Sequence, residues 1–336
     1  MSATSIGTHT TRPMLETLEE RNVPSTVVGN YDNGVWSYTT GSGWSFLTSA
    51  QAQQLDVTDN GTVYGKFSDG LWRHTSAGGW SKLSNLNVQS FQVTDDGILY
   101  GDFGASGVWR WNTGGGWLQI SSQDVATLTV SDADVFYGRF DGAAALGTWR
   151  WTASDGWLKL TNNRPNELLS DDAGNLVGRF STYIMAGQQG TWKWNATVGW
   201  SRLSNAAADD IDVSDNGTVF EDRGTAGIWR LGTATGATFQ QISPFDAKNS
   251  TIFALANGDL YYDWNSSAGV YSGWVYKATT GWVKVVDNSL NAFPVVTGKD
   301  GDAFFDHGAT GTWHWSPTQA FHQLGGKNPT LLVSQS

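Results

Sequence analysis

A tryptophan returns at near-regular intervals along this chain. The copies are Trp36, Trp72, Trp109, Trp149, Trp192, Trp229, Trp274 and Trp313, separated by 36, 37, 40, 43, 37, 45 and 39 residues. A period near 40 residues marks an array of small supersecondary units that cannot bury their faces alone and must stack on one another. Glycine stands two positions before seven of the eight tryptophans. Eight positions after them comes a second aromatic, at Trp44, Trp80, Trp117, Trp157, Trp200, Trp282 and Phe321, with Phe239 two positions late in the sixth copy.

Upstream of each tryptophan lies a further pair of short apolar runs. "LDVTDNGTVYGKF", "FQVTDDGILYGDF", "LTVSDADVFYGRF" and "IDVSDNGTVFEDR" each place two strand-like segments around a corner rich in Asp, Asn and Gly, which predicts a hairpin. A second hairpin turns at "NTGGG" in "GVWRWNTGGGWLQIS", residues 107–121. Each unit therefore reads as four antiparallel strands, a to d.

The two ends of the repeat region complement each other. "LLVSQS" at the C-terminus looks like a strand a with nothing after it, and "STVVGNYDNGVW" looks like strand b onward with no strand a before it. Joined, they make one unit, as a ring requires if no sheet edge is to stay open. The fold read from this pattern is all-β, a single eight-bladed β-propeller over residues 26–336 closed by the C-terminal strand, with residues 1–25 outside the ring. A seven-bladed ring with a stray unit is the alternative.

Charge and composition narrow the functions. The balance of 20 basic to 31 acidic side chains gives a net charge of −11, which repels phosphate backbones and makes nucleic acid a poor partner. With no cysteine, disulfides, thiol catalysis and Cys-ligated zinc are excluded. No run of about 18 apolar residues is present to span a bilayer. His307, His314 and His322 gather in the last unit, but neighbouring strands place them on either face, so no metal is expected. The paired aspartates of "TDNG" and "TDDG" are turn residues before they are calcium ligands. No nucleophile motif, phosphate loop or paired-carboxylate constellation stands out, so the chain reads as non-catalytic and without a cofactor.

Binding residues are sought where the repeat breaks its own pattern. The b–c loops grow from "SDG" to "DGAAALG" at 141–147, "STYIMAGQQG" at 181–190 and "NSSAGVYSG" at 265–273, offering Tyr183, Gln188, Gln189, Asn265 and Tyr271 as contacts. In strand b a glycine at Gly29, Gly65, Gly101, Gly138 and Gly178 becomes Glu221, Tyr262 and Phe305. Two residues on, Tyr31, Phe67, Phe103, Phe140 and Phe180 give way to Arg223, Trp264 and His307. This sector, with Asp263, offers an aromatic platform and charged groups suited to a sugar. Compensatory packing is the competing explanation. The eight recurring tryptophans read as core. The position two residues later holds Trp111, Trp151 and Trp194 but also Tyr38 and His74, and that tolerance suggests rings partly exposed at a rim.

Two resemblances follow from these residues. The repeat region resembles Trp/Gly-rich bacterial β-propeller repeat proteins in architecture and repeat style. "RPMLETLEERNVPST" resembles the LExLExRxxPS segment near the start of many surface and secreted proteins of planctomycete bacteria, through Leu15, Glu16, Leu18, Glu19, Arg21, Pro24 and Ser25, with Glu20 a departure. That segment implies an extracellular or cell-surface address. The expected function is glycan recognition of a lectin-like kind. A surface scaffold that binds a cell-surface protein through the b–c and d–a loops is the alternative, and a propeller glycosidase comes third.

Overall fold

The computed structural model describes residues 25–180, 189–247, 252–265, 271–289, 295–298 and 301–335. Apart from Ser25, the N-terminal segment 1–25 lies outside them. The described residues form eight antiparallel sheets of four strands, each in the order a-b-c-d. Blade 2 is representative, with strands Gln54–Val57, Val63–Phe67, Gly70–Thr75 and Gly79–Ser84. Blades 3 to 8 repeat this order along the chain. In blade 1 strand a is instead Leu331–Ser334, which pairs antiparallel with Thr26–Tyr31 through Gly29↔Leu332 and Val28↔Val333. The ring is thus closed by a split blade, as the sequence predicts.

The seven glycines before the recurring tryptophans have one steric cause. Each sits at the start of strand c with positive φ, facing a carbonyl of strand d: a Cβ on Gly34 would lie 2.0 Å from the Thr48 oxygen, and one on Gly107 2.0 Å from the Ser121 oxygen. Strand c carries a bulge at this point, between Val35 and Trp36 in blade 1. Only a residue without Cβ allows the two strands to approach so closely.

Core clusters form between blades, so no blade is complete alone. Tyr64 and Leu71 of blade 2 pack with Phe91, Leu99 and Trp111 of blade 3. Tyr100 and Val108 of blade 3 pack with Phe136 and Trp151 of blade 4. The rim exposure expected of Trp111, Trp151 and Trp194 does not hold: they are 9%, 7% and 6% exposed. Their rings meet Tyr64, Tyr100 and Tyr137 of the preceding blade at 6.3, 6.1 and 6.0 Å between centroids. The recurring tryptophans expected in the core are the ones only half-buried.

Strand a, nearest the axis, would expose an edge of unpaired backbone. Side chains of the preceding blade cover it. Asp56 accepts from Val93 N at 3.0 Å, Gln92 from Val130 N at 2.9 Å and Asp212 from Ala254 N at 2.7 Å. Burial pushes the Asp56 and Asp212 carboxyls up to about 7, against the lowering effect of these backbone hydrogen bonds. At the closure Gln335, 2% exposed, accepts from Thr26 N at 2.9 Å and donates to the Thr58 and Asp59 carbonyls at 3.2 and 2.8 Å. One side chain thereby ties the end of the chain to both blade 1 and blade 2.

Candidate functional site

Half-buried tryptophans of strand c are anchored by the b–c loop or by strand d, and Trp72 and Trp149 by both. Their indole N–H groups donate to the b–c loop: Trp72 to Asp69 Oδ1 at 2.9 Å, Trp109 to the Ser106 carbonyl at 2.9 Å and Trp229 to the Ala226 carbonyl at 2.9 Å. Strand d supplies a long side chain over the ring. Lys82 lies 5.2 Å from the Trp72 centroid, Lys159 5.2 Å from Trp149 and Arg202 5.7 Å from Trp192, in cation–π geometry.

The strand d tryptophans reach in the other direction, to the strand d end of the preceding blade. Trp44 donates to the Leu324 carbonyl at 2.9 Å, Trp80 to Leu47 at 2.9 Å, Trp117 to Leu83 at 3.0 Å, Trp157 to Ile120 at 2.6 Å, Trp200 to Leu160 at 3.2 Å and Trp282 to Ile242 at 2.7 Å. Between the two indoles and the d–a linker of the preceding blade a cleft opens. Three such clefts lie among the described residues. The first, about 290 Å³, is lined by Tyr31, Trp36, Trp44 and the linker residues 324–327. The second, about 250 Å³, is lined by Tyr262, Trp274, Trp282 and residues 242–245. The third, about 120 Å³, lies among Thr161, Asn163, Phe180, Trp192 and Trp200. Their walls are mostly carbon, and Phe245 stands at the second one 53% exposed. In the first, the Lys327 ammonium lies 5.3 Å from the Trp36 centroid.

The predicted sector departs from the repeat at closely packed positions. A Cβ on Gly65 would come 2.6 Å from the Phe67 ring, and one on Gly101 2.9 Å from Phe103, because each ring folds back over the glycine of its own strand. A larger residue at the glycine position therefore requires a different partner two residues on. Glu221 is fully buried and accepts from Arg223 Nε at 2.6 Å, while the Arg223 guanidinium lies 4.4 Å from the Trp229 centroid and 4.8 Å from Phe239. Tyr262 is 3% exposed, donates to the Asp246 carbonyl at 3.3 Å and meets Trp282 edge-on. It thus forms the floor of the second cleft. His307 lies beside Trp313 and Phe321, with Nδ1 3.2 Å from Thr310 Oγ1.

Other predicted contacts are placed only in part. Tyr183 and Gln188 lie outside the described residues. Gln189 precedes strand c of blade 5, and its carbonyl accepts from Arg202 Nη2 at 2.5 Å. Asp263, Trp264, Asn265 and Tyr271 belong to strands b and c of blade 7, where Asn265 pairs with Tyr271 and Trp264 with Ser272, and their side chains lie outside the described set. Among the described residues no three His, Cys, Asp or Glu groups converge on a metal position. His314 is buried against Asp302, Nε2 to Oδ2 3.0 Å.

Sequence reasoning missed the linkers that wall the clefts and the kinship of three b–c loops. Blades 3, 6 and 8 share D-x-G-x-x-G at 102–107, 222–227 and 306–311. In each, the aspartate accepts from the first glycine N–H, and a strand d glutamine, Gln119, Gln241 or Gln323, donates to the loop. The repeated motif was the available signal.

No protein-family model matches the chain, and no curated protein is similar to it. Among solved structures it is similar to prolyl oligopeptidase B from Galerina marginata, at 12% identity and a TM-score of 0.57, covering 84% of this chain and 51% of that one. It is also similar to a eukaryotic initiation factor, at 9% identity and a TM-score of 0.55, covering 93% of this chain and 98% of that one. At these identities the likeness is one of fold.

Proposed function

We propose that the ring is a non-catalytic binding scaffold that engages a protein partner through its b–c and d–a face. The observation that supports this most is the carbon-rich lining of the inter-blade clefts, with exposed Phe245 beside the cleft of Tyr262, Trp274 and Trp282. Such clefts suit apolar side chains, whereas recognition of a sugar needs several convergent hydrogen-bonding groups around the stacked ring. An address at the cell surface is part of the proposal and rests on the N-terminal resemblance. Glycan recognition is the second reading, favoured by the paired indoles of Trp36 and Trp44 with Lys327 at hand.

One experiment separates them. A displayed peptide library and a saccharide array are probed with the intact chain and with Phe245→Asp and Trp274→Ala, both checked for an unchanged circular dichroism spectrum. Enrichment of peptides rich in apolar side chains, lost in both variants, supports the scaffold. Saccharide binding that survives Phe245→Asp, with no peptide enriched, refutes it in favour of the lectin.

A further inference from the structure

The junction between blades 5 and 6 differs from its neighbours on the opposite face, where the a–b and c–d turns emerge. At three preceding junctions a tyrosine of strand b meets a tryptophan of the next strand c: Tyr64 with Trp111, Tyr100 with Trp151 and Tyr137 with Trp194. Between blades 5 and 6 both rings are gone, because Val177 stands at the tyrosine position and Leu231 at the tryptophan position. A cleft of about 390 Å³ occupies this place, lined by Val219, Leu231, Lys193, Asp171, Asn175 and the c–d turn from Gly232 to Ala237. That volume lies in the range of small-molecule sites.

The lining has the chemistry of a ring site from which the ring has been removed. Arg73 and Arg150, on strand c of their blades, lie 5.8 and 5.6 Å from the centroids of Trp111 and Trp194 in the next blade. Lys193 holds the same position in blade 5, and across from it is Leu231, which has no π face to offer. Among the described residues its ammonium has one ion pair, to Asp171 Oδ2 at 3.2 Å. Asp171 is 2% exposed and takes further hydrogen bonds from Asn175 N and Nδ2 at 2.7 to 2.9 Å. Gly217 is drawn close to this pair, since a Cβ there would lie 2.8 Å from Asp171 Oδ2 and 3.5 Å from Lys193 Nζ. The wall is therefore apolar on one side, through Val219 and Leu231, with a fixed cation on the other and amide groups at the edge.

We infer that this cleft binds a small aromatic molecule, its ring seated on Leu231 in the place that an indole fills at other junctions, with Lys193 against its face. The site lies on the opposite face from the Trp36 and Trp274 clefts and does not depend on the function proposed for them.

The test uses 5-fluoroindole followed by ¹⁹F NMR, titrated into the full chain and into two variants. Leu231→Trp restores the ring from within, and Lys193→Met removes the cation while leaving the space. Saturable binding by the wild type, lost in Leu231→Trp and weakened at least about threefold in Lys193→Met, supports the inference. No saturable binding by the wild type overturns it. So does equal affinity in Leu231→Trp, which would place the probe in the clefts of the other face. Should Leu231→Trp fail to fold, Lys193→Met alone decides, and an unchanged affinity there overturns the inference.

Discussion

Replacing Gln335 with alanine tests whether the ring is held shut by this side chain as well as by the strand that carries it. The substitution removes three hydrogen bonds, one accepted from Thr26 N and two donated to the Thr58 and Asp59 carbonyls. Each contributes about 0.5–1.5 kcal/mol net, and a buried backbone group left unpaired costs about 1–3 kcal/mol more. Thr26 and Thr58 are 6% and 1% exposed, so water reaches their groups poorly. The expected loss is about 2–4 kcal/mol, a fall in melting temperature of about 3–6 °C for a chain of this size. Urea unfolding followed by circular dichroism measures it. The control is Gln119→Ala, which removes one exposed bond to the Ser106 carbonyl and should cost less than about 0.5 kcal/mol. If the two variants unfold at the same urea concentration, closure resides in the Leu331–Ser334 ladder and not in the Gln335 side chain.

Other perturbations probe the remaining contacts. Gly65→Ala forces a Cβ to 2.6 Å from Phe67 and should cost about 1–3 kcal/mol in urea unfolding, most of it regained on adding Phe67→Leu. Glu221→Gln leaves Arg223 without its carboxylate partner and should cost about 3–5 kcal/mol, which a melt within 1 °C of wild type would contradict. Burial above all raises the Asp56, Asp95, Asp172 and Asp212 carboxyls to about 7 in the folded state, from an ordinary value of 3.8. The folded state thus holds more protons than the unfolded one between those values. The stability this confers is full below about 4 and is lost as pH rises through about 7. Thermal melts at pH 5 and pH 8 check the sign, and a protein more stable at pH 8 refutes it.

The architecture was legible because each constraint recurs in every unit. Spacing of the tryptophans, corners such as Asp59-Asn60-Gly61 and the divided first blade all survive as pattern. Depth was not legible. Trp109 and Trp111 lie on one face of one strand, and alternation cannot say which is better covered. Coverage comes from Tyr64 and Arg73 in another repeat, and burial of Trp111 depends on them. The Glu221 sector shows a different limit. Its departures from the repeat were visible, with packing and binding both open, and only the 2.6 Å pair with Arg223 tells a buried ion pair from a surface group. The cleft walls were missed because linkers such as Pro244 and Phe245 follow no repeat.

The indole bonds between consecutive strands d bear on how the ring yields under load. Among the described residues they run unbroken from blade 8 through blade 1 to blade 5, and again from blade 6 to blade 7. Blades 6 and 8 carry Phe239 and Phe321 at that position, and phenylalanine has no donor. The circle is thus an arc of six and an arc of two, meeting at two seams. Pulling, heating or isotope exchange should part the molecule there first, with blades 6 and 7 leaving as a pair.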